Sequence, residues 1–133
     1  RCLIDMAHTS RYTRARPNDA HIAWVVSTLL RNPRVGTFVR VAEATDGEVQ
    51  GVVMVMLFDH LVSGAVEASE VCLYVGPMYR SGRIGAALLT AAETWARDQG
   101  AERLHMVSPV PKFGRWYERR GYVPGDLTYE KRL

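Results

Sequence analysis

Between residues 37 and 58 the chain switches to a strand signal, and this switch narrows the fold more than any other feature. From Thr37, TFVRVAEA alternates, Asp46-Gly47 is a strong hairpin turn, and VQGVVMVMLF from Val49 is almost wholly apolar. Upstream, residues 17–30 (PNDAHIAWVVSTLL) set Ile22, Val25, Val26, Leu29 and Leu30 at helical spacing. Asn18 or Asp19 can cap that helix, and Asn32-Pro33 ends it. Residues 59–64 read as a loop, and residues 65–75 (AVEASEVCLYV) as another strand that stops at Gly76-Pro77. Ile84, Ala87, Leu88, Ala91, Ala92, Trp95 and Ala96 then share one helical face, closed by Gly100. A short strand is expected over 102–107, a short helix over about 112–120 stopped by Gly121, and a last strand in LTYEKRL, residues 127–133. The order helix, hairpin, strand, helix, strand, helix, strand predicts one mixed α/β domain, residues 1–133, around a single sheet.

With 47% hydrophobic and 23% charged residues, the chain is not a disordered one. Of 17 basic residues only Lys112 and Lys131 are lysine. Arginine suits bidentate contacts to phosphate or carboxylate. The net charge of +3 fits an anionic cofactor as well as nucleic acid. The acidic residues are interspersed and no basic tract clusters, which argues against nucleic acid. Cys2 and Cys72 form neither a disulfide framework nor a metal spacing. Cys72, in an apolar run, is expected to be a buried thiol, and a cytoplasmic compartment is the simplest fit. No stretch approaches eighteen apolar residues, so no membrane span is expected. The opening RCLIDMAHTSRYTR does not begin with Met and shows no signal-peptide core. It reads as the remainder of a longer gene product with its first element cut short. His8, His21 and His60 have no partner pattern, and no metal cluster is expected.

The most informative segment is Val75 to Leu89, VGPMYRSGRIGAALL. A strand ends, a loop carries Arg80, Ser81, Gly82, Arg83 and Gly85, and a long helix begins. Amides at a helix start lack internal partners and, with the helix dipole, favour an anion. Arg80 and Arg83 can add charge-assisted bonds. The segment is neither a Walker A loop nor a Rossmann fingerprint. By pattern alone, an anion-binding loop and an ordinary turn with solvated arginines both stand.

Here the sequence resembles the GNAT family of N-acetyltransferases. Val75-Gly76-Pro77 followed by Arg80-Ser-Gly-Arg-Ile-Gly85 is similar to the family's V-x-P and Q/R-x-x-G-x-G/A motifs. Phe113-Gly-Arg-Trp116-Tyr117-Glu-Arg-Arg-Gly121-Tyr122 is similar to its A-x-x-F-Y-x-x-x-G-F/Y helix. The terminal LTYEKRL resembles its last strand. The likeness is good from about Val35 to Leu133, and the whole arrangement is also similar to small acetyltransferases often encoded in phages and prophages. It implies a mostly antiparallel sheet flanked by helices, with splayed central strands. Three positions depart from the pattern: Arg83 stands where the first motif glycine is expected, Val110 where the family often has Asn, and Phe113 at an alanine-like position.

The resemblance implies acetyl-CoA as cosubstrate. Its pyrophosphate would meet the amides of Ser81, Gly82, Arg83, Ile84, Gly85 and Ala86 beside Arg80, and its pantetheine the backbone of Leu73, Tyr74 and Val75, with Phe113 on the pantetheine side. An amine acceptor, small molecule or protein, would attack the thioester directly, without a covalent enzyme intermediate. Tyr117 matches the family's general-acid position; without the motif it reads as an aromatic core residue. Tyrosine is a neutral donor near pH 7. Glu70 and Glu67 are the candidate bases on strand 65–75. Three apart, they point to opposite faces of an unbulged strand, and solvent-facing acids on an edge are the competing reading. A buried carboxylate at Glu70 would have a raised pKa. His105 can line the acceptor site but reads more simply as a satisfied or solvated imidazole. Arg115, Arg119 and Arg120 form a basic face, solvated or aimed at the 3′-phosphate of CoA. Segments 59–64 and 108–112 are expected to shape the acceptor site, and homodimers are an expectation from small family members. The alternative, motivated by Arg83, Val110 and Phe113, is a non-catalytic or differently acylating acyl-CoA-binding module.

Overall fold

The computed structural model describes residues 18–31, 36–126, 129 and 131. Helix α1 (Asp19–Arg31) is capped by Asn18, whose Oδ1 accepts the His21 N–H at 2.9 Å. Of the two cap candidates it is therefore Asn18 that serves. The expected stop Asn32-Pro33 and the opening residues 1–17 lie outside the described residues, as does most of the expected last strand over 127–133.

Strands β1 (Thr37–Glu43) and β2 (Val49–Asp59) form the expected hairpin. Its turn closes through Gly47 N–H to the Ala44 carbonyl and Ala44 N–H to the Glu48 carbonyl. Gly47 sits at φ +87°, where a side chain is strained, and Asp46 Oδ1 accepts the Glu48 N–H. Strand β3 (Val66–Val75) pairs antiparallel with β2. Met54 faces Cys72 and Val55 faces Glu70, so Val71 is an extra, bulged residue. Strand β4 (Arg103–His105) pairs parallel with β3, giving a four-stranded sheet in the order β1-β2-β3-β4 among the described residues. The sheet is thus mixed and mostly antiparallel, with helices against it.

Helix α2 (Arg83–Asp98) covers one face. Val53, Val55, Ala68, Leu88, Ala92 and Ala96 form the core there, with Leu73, Val75, Ile84, Trp95 and Leu104 packed on it. Val52, Met54, Cys72 and Tyr74 are buried on the other face. The almost wholly apolar β2 is explained by this: its residues alternate between two buried surfaces. Gly51 lets α2 seat closely, since a Cβ there would come within 3.0 Å of the Tyr74 carbonyl oxygen and 3.1 Å of Leu88 Cδ1. The helical face differs from expectation in two residues. Ala87 is exposed, while Leu89 is only 1% exposed. Leu89 lies one turn beyond Gly85, on the flank of α2 that turns toward helix α3 (Pro111–Glu118).

Strand β4 is shorter than the predicted 102–107. Its pairs run from Glu67–Arg103 to Ser69–His105, and β3 continues to Val75 without it. The next polar link between the two chains is a side chain: Glu70 Oε2 accepts the Val107 N–H at 2.7 Å. The two strands part at this point.

Candidate active site

Where β3 ends, the chain is braced before it enters α2. Gly76 N–H bonds the Gln50 carbonyl, and Pro77–Tyr79 makes one 3₁₀ turn. Ser81 N–H donates to the Tyr79 carbonyl and Ala86 N–H to the Gly82 carbonyl. Of the six amides expected to meet an anion, these two are therefore engaged within the chain. Gly82, Arg83, Ile84 and Gly85 are the amides that helix geometry leaves without an intrahelical acceptor. Gly82 caps α2 at φ +90°, and the space where its Cβ would project is open. With its amides unpaired and the space beside Gly82 open, this helix start fits a phosphate group.

Arg80 folds back over the strand end. Its Nε donates to the Val75 carbonyl at 2.9 Å, and its guanidinium stands 5.6 Å from the Tyr74 ring centre. Arg83 is exposed at the first position of α2. Tyr79 donates its hydroxyl to Glu48 Oε2, which raises its pKa and ties the loop to the β1–β2 turn. Nothing in the spacing of Glu48 and Tyr79 signals this bond, because it depends on how the hairpin lies beside the loop.

Helix α3 approaches the same place. A Cβ on Gly85 would lie 3.8 Å from both Trp116 Cζ2 and Val75 Cγ2. Arg120 stacks on Trp116 with its guanidinium carbon 3.9 Å from the ring centre, and it donates to the Trp116 carbonyl. Phe113 is 41% exposed on the first turn of α3. Tyr117 is buried against Trp116, with ring centres 5.1 Å apart, and against Tyr122 at 5.3 Å. Burial, and then the charge of Glu70, push the Tyr117 pKa well above the usual tyrosine value. Tyr122, which donates to Glu93 Oε1 at 2.8 Å, is likewise raised, by burial first and by that bond second.

Both carboxylates of β3 are buried, and β3 is an inner strand, so neither is a solvent-facing edge acid. They occupy opposite faces: Glu70 lies with Ala68 on the α2 side, Glu67 with Ser69 on the other. The bulge at Val71 comes after both and does not bring them together. Glu70 reaches the Val107 amide across the parting strands. Glu67 Oε2 meets His105 Nε2 at 2.5 Å. That bond, first of all, holds the Glu67 pKa below its ordinary value against the opposing effect of burial, and the charges of His105, His60 and Arg103 act in the same direction as the bond. His105 also packs near Phe58, with ring centres 5.8 Å apart. Leu73 and Val75 face α2 while Tyr74 faces the other side. Among the described residues no group of three or more His, Cys, Asp or Glu could hold a metal ion, and no helix is long and apolar enough to cross a membrane.

The sequence profile of the Acetyltransferase (GNAT) family matches residues 3–122. The chain belongs to the GNAT family. This GNAT protein is 30% identical over 80 residues to an amino-acid acetyltransferase of Pseudomonas fluorescens (strain Pf-5), which is 60% of the chain and 18% of that protein. It therefore spans less than a fifth of the length of the curated relatives it matches. A Pyrococcus furiosus protein assigned as an acetyl transferase is 26% identical and superposes with a TM-score of 0.73, covering 98% of this chain and 90% of the other. The glucosamine-6-phosphate N-acetyltransferase of Arabidopsis thaliana shares the fold at 12% identity, with a TM-score of 0.78 over 98% and 88% of the two chains.

Proposed function

We propose that this GNAT protein is an N-acetyltransferase that moves the acetyl group of acetyl-CoA to an amine acceptor by direct attack. One observation carries the reading: the open helix start at Gly82–Gly85 lies against Val75 and Trp116, beside strands that part and a buried, protonated Tyr117. The amides of Gly82 to Gly85, with Arg80 and Arg83, would hold the pyrophosphate. The backbone of Leu73, Tyr74 and Val75, where β3 runs on without β4, would receive the pantetheine arm, with Phe113 at its side. Acetyl-CoA supplies the activated acyl group.

Tyr117 faces a thiolate as a neutral hydroxyl. Its raised pKa stands above that of an ordinary thiol, about 8.5, so it stabilises the thiolate by a hydrogen bond more readily than by full proton transfer. Glu70 and Glu67, on opposite faces of β3, are alternative carboxylates for supporting loss of the amine's proton, and only one of them faces the acceptor. The similarity to an amino-acid acetyltransferase makes free amino acids the first acceptors to test.

The test is a thermal melt with and without acetyl-CoA, followed by CoA thiol release with amines. Ligand at a hundredfold its Kd should stabilise the fold by about 2.7 kcal/mol. No shift at saturating acetyl-CoA sinks the reading. The exposed Phe113 and Arg83 favour a second reading, a non-catalytic or differently acylating acyl-CoA-binding module. It keeps the thermal shift but releases no thiol with amines, and Tyr117→Phe leaves it unchanged.

A further inference from the structure

At the narrow end of the opening, on the sheet face away from α2, lies a polar cluster that the anion site does not use. Glu67 and Ser69 of β3 stand beside Arg103 and His105 of β4, paired Glu67–Arg103 and Ser69–His105. Phe58, the β2 partner of Glu67, closes the other side. The carboxylate is inside and the imidazole is half exposed at the last paired residue of β4. Two residues later the chain has left the ladder and bonds Glu70 instead.

We propose that His105 is the proton acceptor for the attacking amine and that buried Glu67, bonded to its Nε2, is the residue that positions it. The proposal rests on the acyl-transfer reading above. An ionised carboxylate only accepts, so the ring nitrogen facing Glu67 carries the hydrogen and Nδ1 keeps its lone pair. Glu67 is held ionised by His105, and by the charges of His60 and Arg103, the other charged groups around it. A carboxylate so held is a poor base by itself, whereas an imidazole it orients is a good one near neutral pH. Glu70 lies on the opposite face and its Oε2 is taken by an amide. In the step, the amine nitrogen bonds the thioester carbonyl carbon and its proton passes to Nδ1. The C–S bond then breaks with its electron pair on sulfur, beside the Tyr117 hydroxyl, and the imidazolium returns its proton to water.

Thiol release is measured from about pH 5 to 8, with the free amino acids, spermidine and poly-L-lysine as acceptors. Wild type, His105→Gln, Glu67→Gln and Glu67→Asp are compared. His105→Gln should lower kcat at neutral pH by about a hundredfold or more and abolish the acidic limb of the profile, with KM for acetyl-CoA and its thermal shift unchanged. Glu67→Gln should lower kcat less than His105→Gln does, and Glu67→Asp should restore most of the rate. An active wild type whose kcat and acidic limb survive His105→Gln overturns the proposal. A wild type that acetyl-CoA does not stabilise, or that acetylates none of these acceptors, overturns the acyl-transfer reading and this proposal with it, a failure seen before any variant is made.

Discussion

Glu70 and Tyr117 illustrate how a single charge sets the chemistry of a neighbour. The carboxylate bridges two parting strands through the Val107 amide, and its charge helps keep the Tyr117 proton in place. Glu70→Gln leaves an acceptor for the amide but removes the charge. The titration of Tyr117, followed by tyrosinate absorbance with Tyr117→Phe as the assignment control, should then begin at lower pH; an unmoved midpoint would show that burial alone raises it. The motif around Trp116 and Tyr117 made the tyrosine legible in the sequence, and the strand signal made the glutamates candidates. The partners were not legible. His105 lies 38 residues from Glu67 and Val107 lies 37 from Glu70, and only the β3–β4 register brings them together.

At the scale of elements, the β3–loop–α2 unit depends on its turn. Gly82 holds φ +90° as the cap of α2, a conformation that costs an L residue about 1–2 kcal/mol. Gly82→Ala should therefore lower the melting temperature by a few degrees. It should weaken acetyl-CoA binding further, as calorimetry can measure, because its methyl would enter the open side of the helix start. The strands, the hairpin and all three described helices could be read from periodicity and turn residues, because each element carries its own pattern. The true length of β4 could not. Its end is decided by a side chain of another strand, which claims the Val107 amide. Leu89 was missed although it lies three residues before Ala92 and seven before Ala96, beside the stripe that faces the sheet.

For the molecule as a whole, ionisation links stability to pH at both ends. Tyr117 and Tyr122 hold their protons more tightly when folded than the unfolded value near 10. Above about pH 10 the unfolded chain gives up those protons first, so stability should fall as pH rises, and thermal melts across that range should show it. Tyr122→Phe should make the decline shallower. Glu67 acts in the opposite direction: its lowered pKa contributes stability above 4.5 that is lost as the solution is acidified.

The Glu48–Tyr79 bond gives the loop a second anchor besides Gly76 N–H to Gln50. Both anchors belong to the turn end of the β1–β2 hairpin, where the pairing shifts register between Ala42 and Glu43. The loop's freedom is given up when the chain folds, before any ligand arrives. On the proposed reading, an anion entering at this helix start would not have to organise the loop first, and little of the binding energy would be lost to ordering.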